Sequence, residues 1–334
     1  MTTVTMKTLA LCLAEMAKED IATFIWGPPG VGKSALVRQV AQTIGYNVID
    51  CRLNVREPVD LTGLPVADLK AKTTDWMRPE FLPREDRDGP RGFFFLDELP
   101  TVGPSMMPVA FQLVQERVAG THIIPPGWLP VAAGNRVKDR AAAQRLPTPL
   151  RNKLAHFNVE PDLDAWIDWA SGNGISPYLM AFLRFRKDLL HVMPASDEVN
   201  AFPTPRAWEK VSKIVGRPKQ IRQHLVASIV SDGVAAELEG FLRICHSLPS
   251  VDEAIANPTT AQVPTDPATC YAMSMALART ATRANLASVM TYAKRFATRE
   301  FEVITVIDAV KRDATLTQTA AYGTWAVANQ DVTL

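Results

Sequence analysis

The chain has 334 residues, 47% hydrophobic and 21% charged, with 36 Lys+Arg against 35 Asp+Glu for a formal net charge of +1. That length suits about two domains, each with its own core, and the balanced charge offers no global field to a nucleic-acid backbone. No apolar run long enough to span a bilayer and no basic, apolar, small-residue leader pattern appear, so the expectation is a cytoplasmic protein without membrane insertion.

Residues 5–18 carry Met6, Leu9, Leu13 and Met16 at helical spacing, and 22–26 read as the first strand. The stretch Gly27-Pro28-Pro29-Gly30-Val31-Gly32-Lys33-Ser34 follows and opens a helical pattern that runs to about Gly45. It fits G-x-x-x-x-G-K-[ST] between a strand and a helix, the context in which that pattern forms a phosphate-binding loop. Glycines let the backbone turn its N–H groups inward onto phosphate oxygens, and the helix N-terminus adds partial positive charge. The candidate nucleotide-binding residues are therefore Gly27, Pro28, Pro29, Gly30, Val31, Gly32, Lys33, Ser34 and Ala35. Lys33 is expected to reach the β- and γ-phosphates and Ser34 to ligate Mg²⁺.

Residues 47–53 read as a second strand, and 56–90 as a long, turn-rich polar connection without regular structure, a length that usually signals function. Gly92 to Glu98 (GFFFLDE) places four consecutive apolar residues before an acidic pair. The run predicts a strand buried on both faces, and the pair falls at its C-terminal end, where open α/β sheets bind ligands. Asp97 suits the Walker B role of holding Mg²⁺ through water, and Glu98 that of polarising the attacking water. A helix over 104–118 and a Gly–Pro-rich hairpin region follow. Residues 128–135 then form another buried strand ending in Asn135, an amide placed to position the lytic water and touch the γ-phosphate.

Further on, 155–160 is a strand and Asp162 a candidate helix N-cap. Trp166 and Trp169, three residues apart, read as core aromatics, and Arg184, Arg186 and Lys187 on a helix over 175–190 as a solvated edge. Residues 219–246 suggest two helices, 248–268 a Pro-rich linker or extended wrap, and 268–297 and 301–321 further helices. Cys12, Cys51, Cys245 and Cys270 are scattered without a C-x-x-C pair, and the five histidines lack ligand spacing, so neither a zinc site nor a disulfide framework is indicated.

In combination, GPPGVGKS, FFFLDE, AAGN and LPTPLRNKLAHFNVEPD resemble the AAA+ ATPases, and within them the MoxR-like group, over about 20–215. The resemblance implies an AAA+ P-loop NTPase fold: a parallel five-stranded sheet of order 5-1-4-3-2 flanked by helices over 1–165, with an insertion at 56–90, and an all-α lid with a helical extension over 166–334. It implies ATP with Mg²⁺ as cofactors, and a ring, usually hexameric, with ATP between subunits. It also implies a trans-acting arginine finger in a segment like L-x-N-R-F. Here that segment is Leu150-Arg151-Asn152-Lys153-Leu154, so a lysine stands at the matching position; Lys153 and Arg151 are the candidates, with Arg140 and Arg145 as other interface cations and solvated surface charge as the plain alternative. Phe202-Pro203-Thr204-Pro205-Arg206-Ala207-Trp208 resembles the sensor 2 segment, in which Arg206 contacts the nucleotide, with Thr204 as N-cap and Pro205 at the first helical position.

The function expected is ATP hydrolysis by a ring-forming, chaperone-like ATPase that remodels or activates a client protein. Lys33, Glu98, Asn135, Arg206 and Lys153 or Arg151 carry the catalysis. The family implies a partner with a von Willebrand factor A domain. Two alternatives remain open: a nucleotide-gated scaffold with little turnover, and a nucleic-acid motor or loader, against which the near-neutral charge argues.

Overall fold

The computed structural model describes residues 2–136, 139, 144–194, 196 and 199–330. The chain divides into two compact units, Met1–Asp162 and Leu163–Leu334. The first contains the strands β1 (Thr2–Val4), β2 (Thr23–Trp26), β3 (Asn47–Cys51), β4 (Leu64–Asp68), β5 (Thr73–Met77), β6 (Gly92–Leu96), β7 (Val118–Ala119), β8 (His122–Ile123), β9 (Trp128–Gly134) and β10 (Ala155–Val159). Its helices are α1 (Met6–Lys18), α2 (Lys33–Ile44), α3 (Pro58–Thr62), α4 (Glu85–Asp88), α5 (Met107–Gln115) and α6 (Thr148–Arg151).

Six strands form one parallel sheet of order β1-β10-β2-β9-β6-β3. Within it, β10-β2-β9-β6-β3 reproduces the expected 5-1-4-3-2 order; the count is corrected from five to six by β1, which pairs Thr2–Val4 with Phe157–Val159 at the edge. Three residues at a chain terminus carry too little alternation to be recognised as a strand.

The continuous apolar runs of β2, β6 and β9 are wholly buried, as both faces of the sheet are covered. Phe93 and Phe95 pack on one face with Leu9, Leu13 and Val37 of α1 and α2. Phe94 and Leu96 pack on the other with Leu113 and Val114 of α5. Gly92 makes room for Trp128, whose ring lies 2.6 Å from where a Cβ would stand. Pro130 lacks the N–H that a central strand normally uses. It is tolerated because β2 pairs with β9 only from Val131 onward, so Pro130 has a strand neighbour only on the β6 side.

The 56–90 connection is not structureless. It contains α3, closed by a capping box between Glu57 and Asp60, the antiparallel hairpin β4–β5, and α4. Both hairpin strands are exposed along their whole length, so neither shows the one-sided apolar alternation that marks a strand in sequence.

The second unit is helical: α7 (Leu163–Gly172), α8 (Pro177–Phe185), α9 (Pro205–Ser212), α10 (Lys219–Val230), α11 (Asp232–His246), α12 (Val251–Ala256), α13 (Pro267–Thr280), α14 (Leu286–Ala293), α15 (Arg299–Arg312) and α16 (Ala320–Ala328). Its core gathers Phe182, Trp208, Phe241, Met273, Leu277 and Tyr292, with Trp166 buried and Trp169 packed against it. The span 248–268 is more than a linker, since it holds α12. Arg184 is not a solvated residue: it is largely withdrawn from solvent and ion-paired to Asp308 of α15, with an Nη2–Oδ1 distance of 2.8 Å. Burial opposes its charge, but the Asp308 partner outweighs that and holds the guanidinium above its ordinary pKa. No helix among the described residues is long and apolar enough to cross a membrane.

Candidate functional site

Because the strands run parallel and in register, their C-terminal ends bring four sequence stretches to one edge. Trp26 is opposite Gly134, Leu96 opposite Ala132, and Cys51 opposite Leu96. The residues that follow these ends are therefore neighbours: Gly27, Asn135, Asp97-Glu98 and Arg52.

The loop after β2 is anchored where Gly27 N–H donates to Gly134 O at 3.3 Å. A Cβ at Gly27 would stand 2.7 Å from Val159 Cγ2, so only glycine fits there. Gly30 and Gly32 have φ of 75° and 105°, a region that favours glycine and turns the chain into α2. The helix begins without a side-chain cap, leaving its first-turn N–H groups to face an anion. Its far end is closed by Gly45 in the left-handed region, with Tyr46 N–H donating to Ala41 O at 2.8 Å and Gly45 N–H to Gln42 O at 3.4 Å.

Lys33 is buried, and its ammonium donates to Gly27 O at 2.8 Å, Pro28 O at 3.0 Å and Asn135 Oδ1 at 2.8 Å. Ser34 Oγ donates to Asp97 Oδ2 at 2.9 Å, and Glu98 N–H to Asp97 Oδ1 at 3.0 Å. Asn135 Nδ2 approaches Glu98 Oε2 at 3.4 Å. Glu98 itself has φ 57°, an unusual backbone for a non-glycine residue; its carbonyl is held by Thr101 Oγ1 at 2.8 Å, and Thr101 Oγ1 also accepts from Asn54 Nδ2 at 3.2 Å. Lys33, Ser34, Asp97, Glu98 and Asn135 thus form one connected polar group. Cys51 lies just below, and burial pushes its thiol up to about 11, so it stays protonated.

The oxygens of Ser34 and Asp97 fit Mg²⁺, which binds through one or two carboxylate or hydroxyl oxygens and completes its shell with water and phosphate. The described residues contain no cluster of three or more His, Cys, Asp or Glu able to hold a metal by themselves.

Two further charged residues flank the group. Arg52, directly after β3, sets its Nη2 3.9 Å from Asp97 Oδ2. Arg136, directly after Asn135, donates to Asp139 (Nε to Oδ2, 2.8 Å) and to Asn158 Oδ1 (2.9 Å), and pairs with Glu160, fixing the end of β9 to that of β10.

Lys153 and Arg151 stand elsewhere. Both precede Ala155, whose partner is Thr23 at the opposite end of β2 from Gly27. Ala155 lies about 13 Å along the sheet from Gly27 at the usual rise per strand residue. Both are exposed, and Arg151 donates to Thr148 Oγ1 at 2.9 Å. Lys153 lines a surface pocket with Asp20, Ile21, Arg117 and Ile123. Arg145 is also exposed, and Arg140 lies outside the described residues. In the second unit, Arg206 is exposed in the first turn of α9, after Pro205 at its first position and Thr204, whose hydroxyl caps Ala207 N–H at 3.0 Å.

Residues 23–117 match the family model described as "ATPase family associated with various cellular activities (AAA)". A 91-residue stretch is 34% identical to midasin of Giardia intestinalis; it is 27% of this chain but only 2% of the length of that protein. Among solved structures, NtrX from Brucella abortus superposes with a TM-score of 0.41 and 13% identity, covering 99% of this chain and 68% of the other. RuvB from Thermotoga maritima superposes with a TM-score of 0.40 and 17% identity, covering 81% and 80%. The chain thus has an AAA+ P-loop fold, with the AAA match at residues 23–117 and a helical part at its C-terminal side.

Proposed function

We propose that this protein is a MoxR-like AAA+ ATPase that hydrolyses ATP within a homo-oligomeric ring and uses the cycle to remodel or activate a client protein. The observation that carries the reading is the convergence of Lys33, Ser34, Asp97, Glu98 and Asn135 at adjacent C-terminal strand ends. That group supplies a phosphate-binding lysine, two candidate Mg²⁺ ligands, a base and a polar amide, which are among the parts that phosphoryl transfer uses.

The loop from Gly27 to Ala35 would cradle the phosphates through backbone N–H groups. Lys33 would exchange its loop carbonyls for the β- and γ-phosphate oxygens while keeping Asn135 beside it. Glu98 would orient the attacking water and accept its proton, and Asn135, already near both Lys33 and Glu98, would hold that water in line. Ser34 and Asp97 would hold Mg²⁺, which supplies positive charge to the phosphates. Electrostatic positioning provides most of the catalysis. Arg206 is assigned to nucleotide contact, and Lys153 or Arg151 to a neighbouring subunit's site. The MoxR resemblance further suggests a hexamer and a von Willebrand factor A domain partner.

The test is Glu98→Gln. ATP hydrolysis should fall by about 10²-fold or more, the range of a lost general base, while ATP affinity stays within about twofold and ATP accumulates on the protein. Turnover equal to wild type would remove Glu98 from the mechanism. A wild type that binds ATP but never hydrolyses it would favour the scaffold reading.

A further inference from the structure

Arg52 sets its guanidinium beside the carboxylate assigned to the metal. The pairing of Cys51 with Leu96 sets the residue after β3 beside the residue after β6. The guanidinium lies between two carboxylates, with Nη2 3.9 Å from Asp97 Oδ2 and Nε 3.8 Å from Asp50 Oδ1. Asp97 Oδ2 is the same oxygen that accepts the Ser34 hydroxyl. Asp50 is held in turn by Arg38 of α2, at 2.7 Å from Arg38 Nη2 to Asp50 Oδ2.

Accessibility differs sharply across this pair. The Asp97 side chain is 7% exposed and that of Arg52 is 56% exposed. A buried carboxylate requires compensation, and Asp97 receives it from one hydroxyl, one backbone N–H and this guanidinium. At 3.9 Å without a hydrogen bond, the guanidinium is held loosely, as exposed ion pairs are. It can swing into solvent or toward Asp50 at little cost.

We infer that Arg52 is a positioning residue that balances the Asp97 charge when no divalent cation is held there, and that it competes with Mg²⁺ for that carboxylate. Arg52 thereby sets how strongly nucleotide binding depends on Mg²⁺. This rests on the nucleotide reading of the site. A single and a double positive charge on one carboxylate repel each other, so binding Mg²⁺ must push the guanidinium away. In the absence of Mg²⁺ the same guanidinium attracts the polyphosphate.

The experiment measures ATP affinity by calorimetry in EDTA and in excess MgCl₂ for wild type, Arg52→Ala, Arg52→Lys and Asp50→Asn. The ratio of the two dissociation constants is the readout, and it does not involve hydrolysis. Arg52→Ala should raise the ratio about tenfold, by weakening binding in EDTA and tightening it in Mg²⁺. Arg52→Lys, which keeps the charge, should stay within about threefold of wild type. Asp50→Asn frees the guanidinium to settle on Asp97 and should lower the ratio, a sign that general damage to the fold would not produce. An Arg52→Ala ratio equal to that of a wild type that binds ATP, or Arg52→Lys behaving as Arg52→Ala, would overturn the inference and leave the nucleotide reading intact. A wild type that binds ATP under neither condition would overturn the nucleotide reading itself.

Discussion

The Lys33 ammonium is bonded to two carbonyl oxygens of its own loop and to Asn135. A polyphosphate can displace the loop carbonyls, because they are exchangeable acceptors, but Asn135 has a second task through its Nδ2 contact to Glu98. Asn135→Ala should therefore cost turnover rather than binding: about 10²-fold in kcat, the size of losing one preorganised polar group at a reacting centre, with the ATP dissociation constant changed less than about threefold. Single-turnover and binding measurements separate the two, and an equal loss in both would make Asn135 a ground-state contact only. These residues were legible in the sequence for a physical reason. Asp97 and Asn135 directly follow apolar runs buried on both faces, and Lys33 ends the glycine-rich loop after a third; in open α/β sheets those strand ends are where ligands bind. Arg136 follows the buried run of β9, whereas Arg52 follows β3, which carries Asn47 and Asp50 and is only partly buried. Their roles depend on partners up to 45 positions away, Asp97 for Arg52 and Asn158 and Glu160 for Arg136, which no local pattern reveals.

The β4–β5 hairpin and the α10–α11 pair contribute unequally to stability. The β4–β5 hairpin projects with Leu64, Val66, Leu69, Trp76 and Met77 exposed, and its base is closed where a Cβ on Gly63, at φ 83°, would meet Met77 O at 1.9 Å. A two-stranded ribbon with no covered face adds little to stability. Replacing residues 65–76 with Asn-Gly, a two-residue turn that joins Leu64 to its partner Met77, should shift Tm by no more than about 3 °C and leave ATP affinity unchanged. A fall of more than about 10 °C by calorimetry would show that the hairpin has a structural role. Helices α10 and α11 are joined differently, by Arg222 and Glu239, with Nε–Oε1 at 2.6 Å and Nη2–Oε2 at 2.8 Å. The Arg222 hydrogen bonds hold the Glu239 carboxyl below its ordinary pKa against the opposing effect of burial. A lowered folded-state pKa stabilises the protein above the unfolded-state value, about 4.3, and that stabilisation disappears as the pH falls through the folded value. Glu239→Gln should therefore cost about 2 kcal/mol at pH 7 and much less near pH 3, as chemical denaturation at both pH values would reveal. The Arg184–Asp308 pair has the same character, and its 124-residue separation explains why Arg184 read as surface charge.

At the scale of the whole molecule, the position of the two finger candidates has a consequence. The phosphate loop, Asp97, Glu98 and Asn135 lie at the C-terminal ends of the strands, whereas Arg151 and Lys153 lie before the N-terminal end of β10. Among the described residues no ion pair links either cation to the site of its own chain, and the His156 imidazole, near the N-terminal end of β10, joins Trp26 Nε1 at 2.9 Å to the Arg151 carbonyl at 2.8 Å. If Lys153 serves catalysis, it must do so in another copy. Specific ATPase activity should then rise with protein concentration, and Lys153→Ala should lower it without weakening ATP binding. Mixing provides the decisive measurement. A Glu98→Gln subunit has an inert site but an intact Lys153, and a Lys153→Ala subunit has an intact site but no donor. Together they should recover a fraction of wild-type activity well above the sum of the two alone, because a Lys153→Ala site can receive Lys153 from a Glu98→Gln neighbour. The same mixture made with Arg151→Ala assigns the role between the two cations. If neither mixture exceeds its parents while wild type remains concentration-dependent, the shared contact comes from another residue, and Lys153 and Arg151 are surface charge.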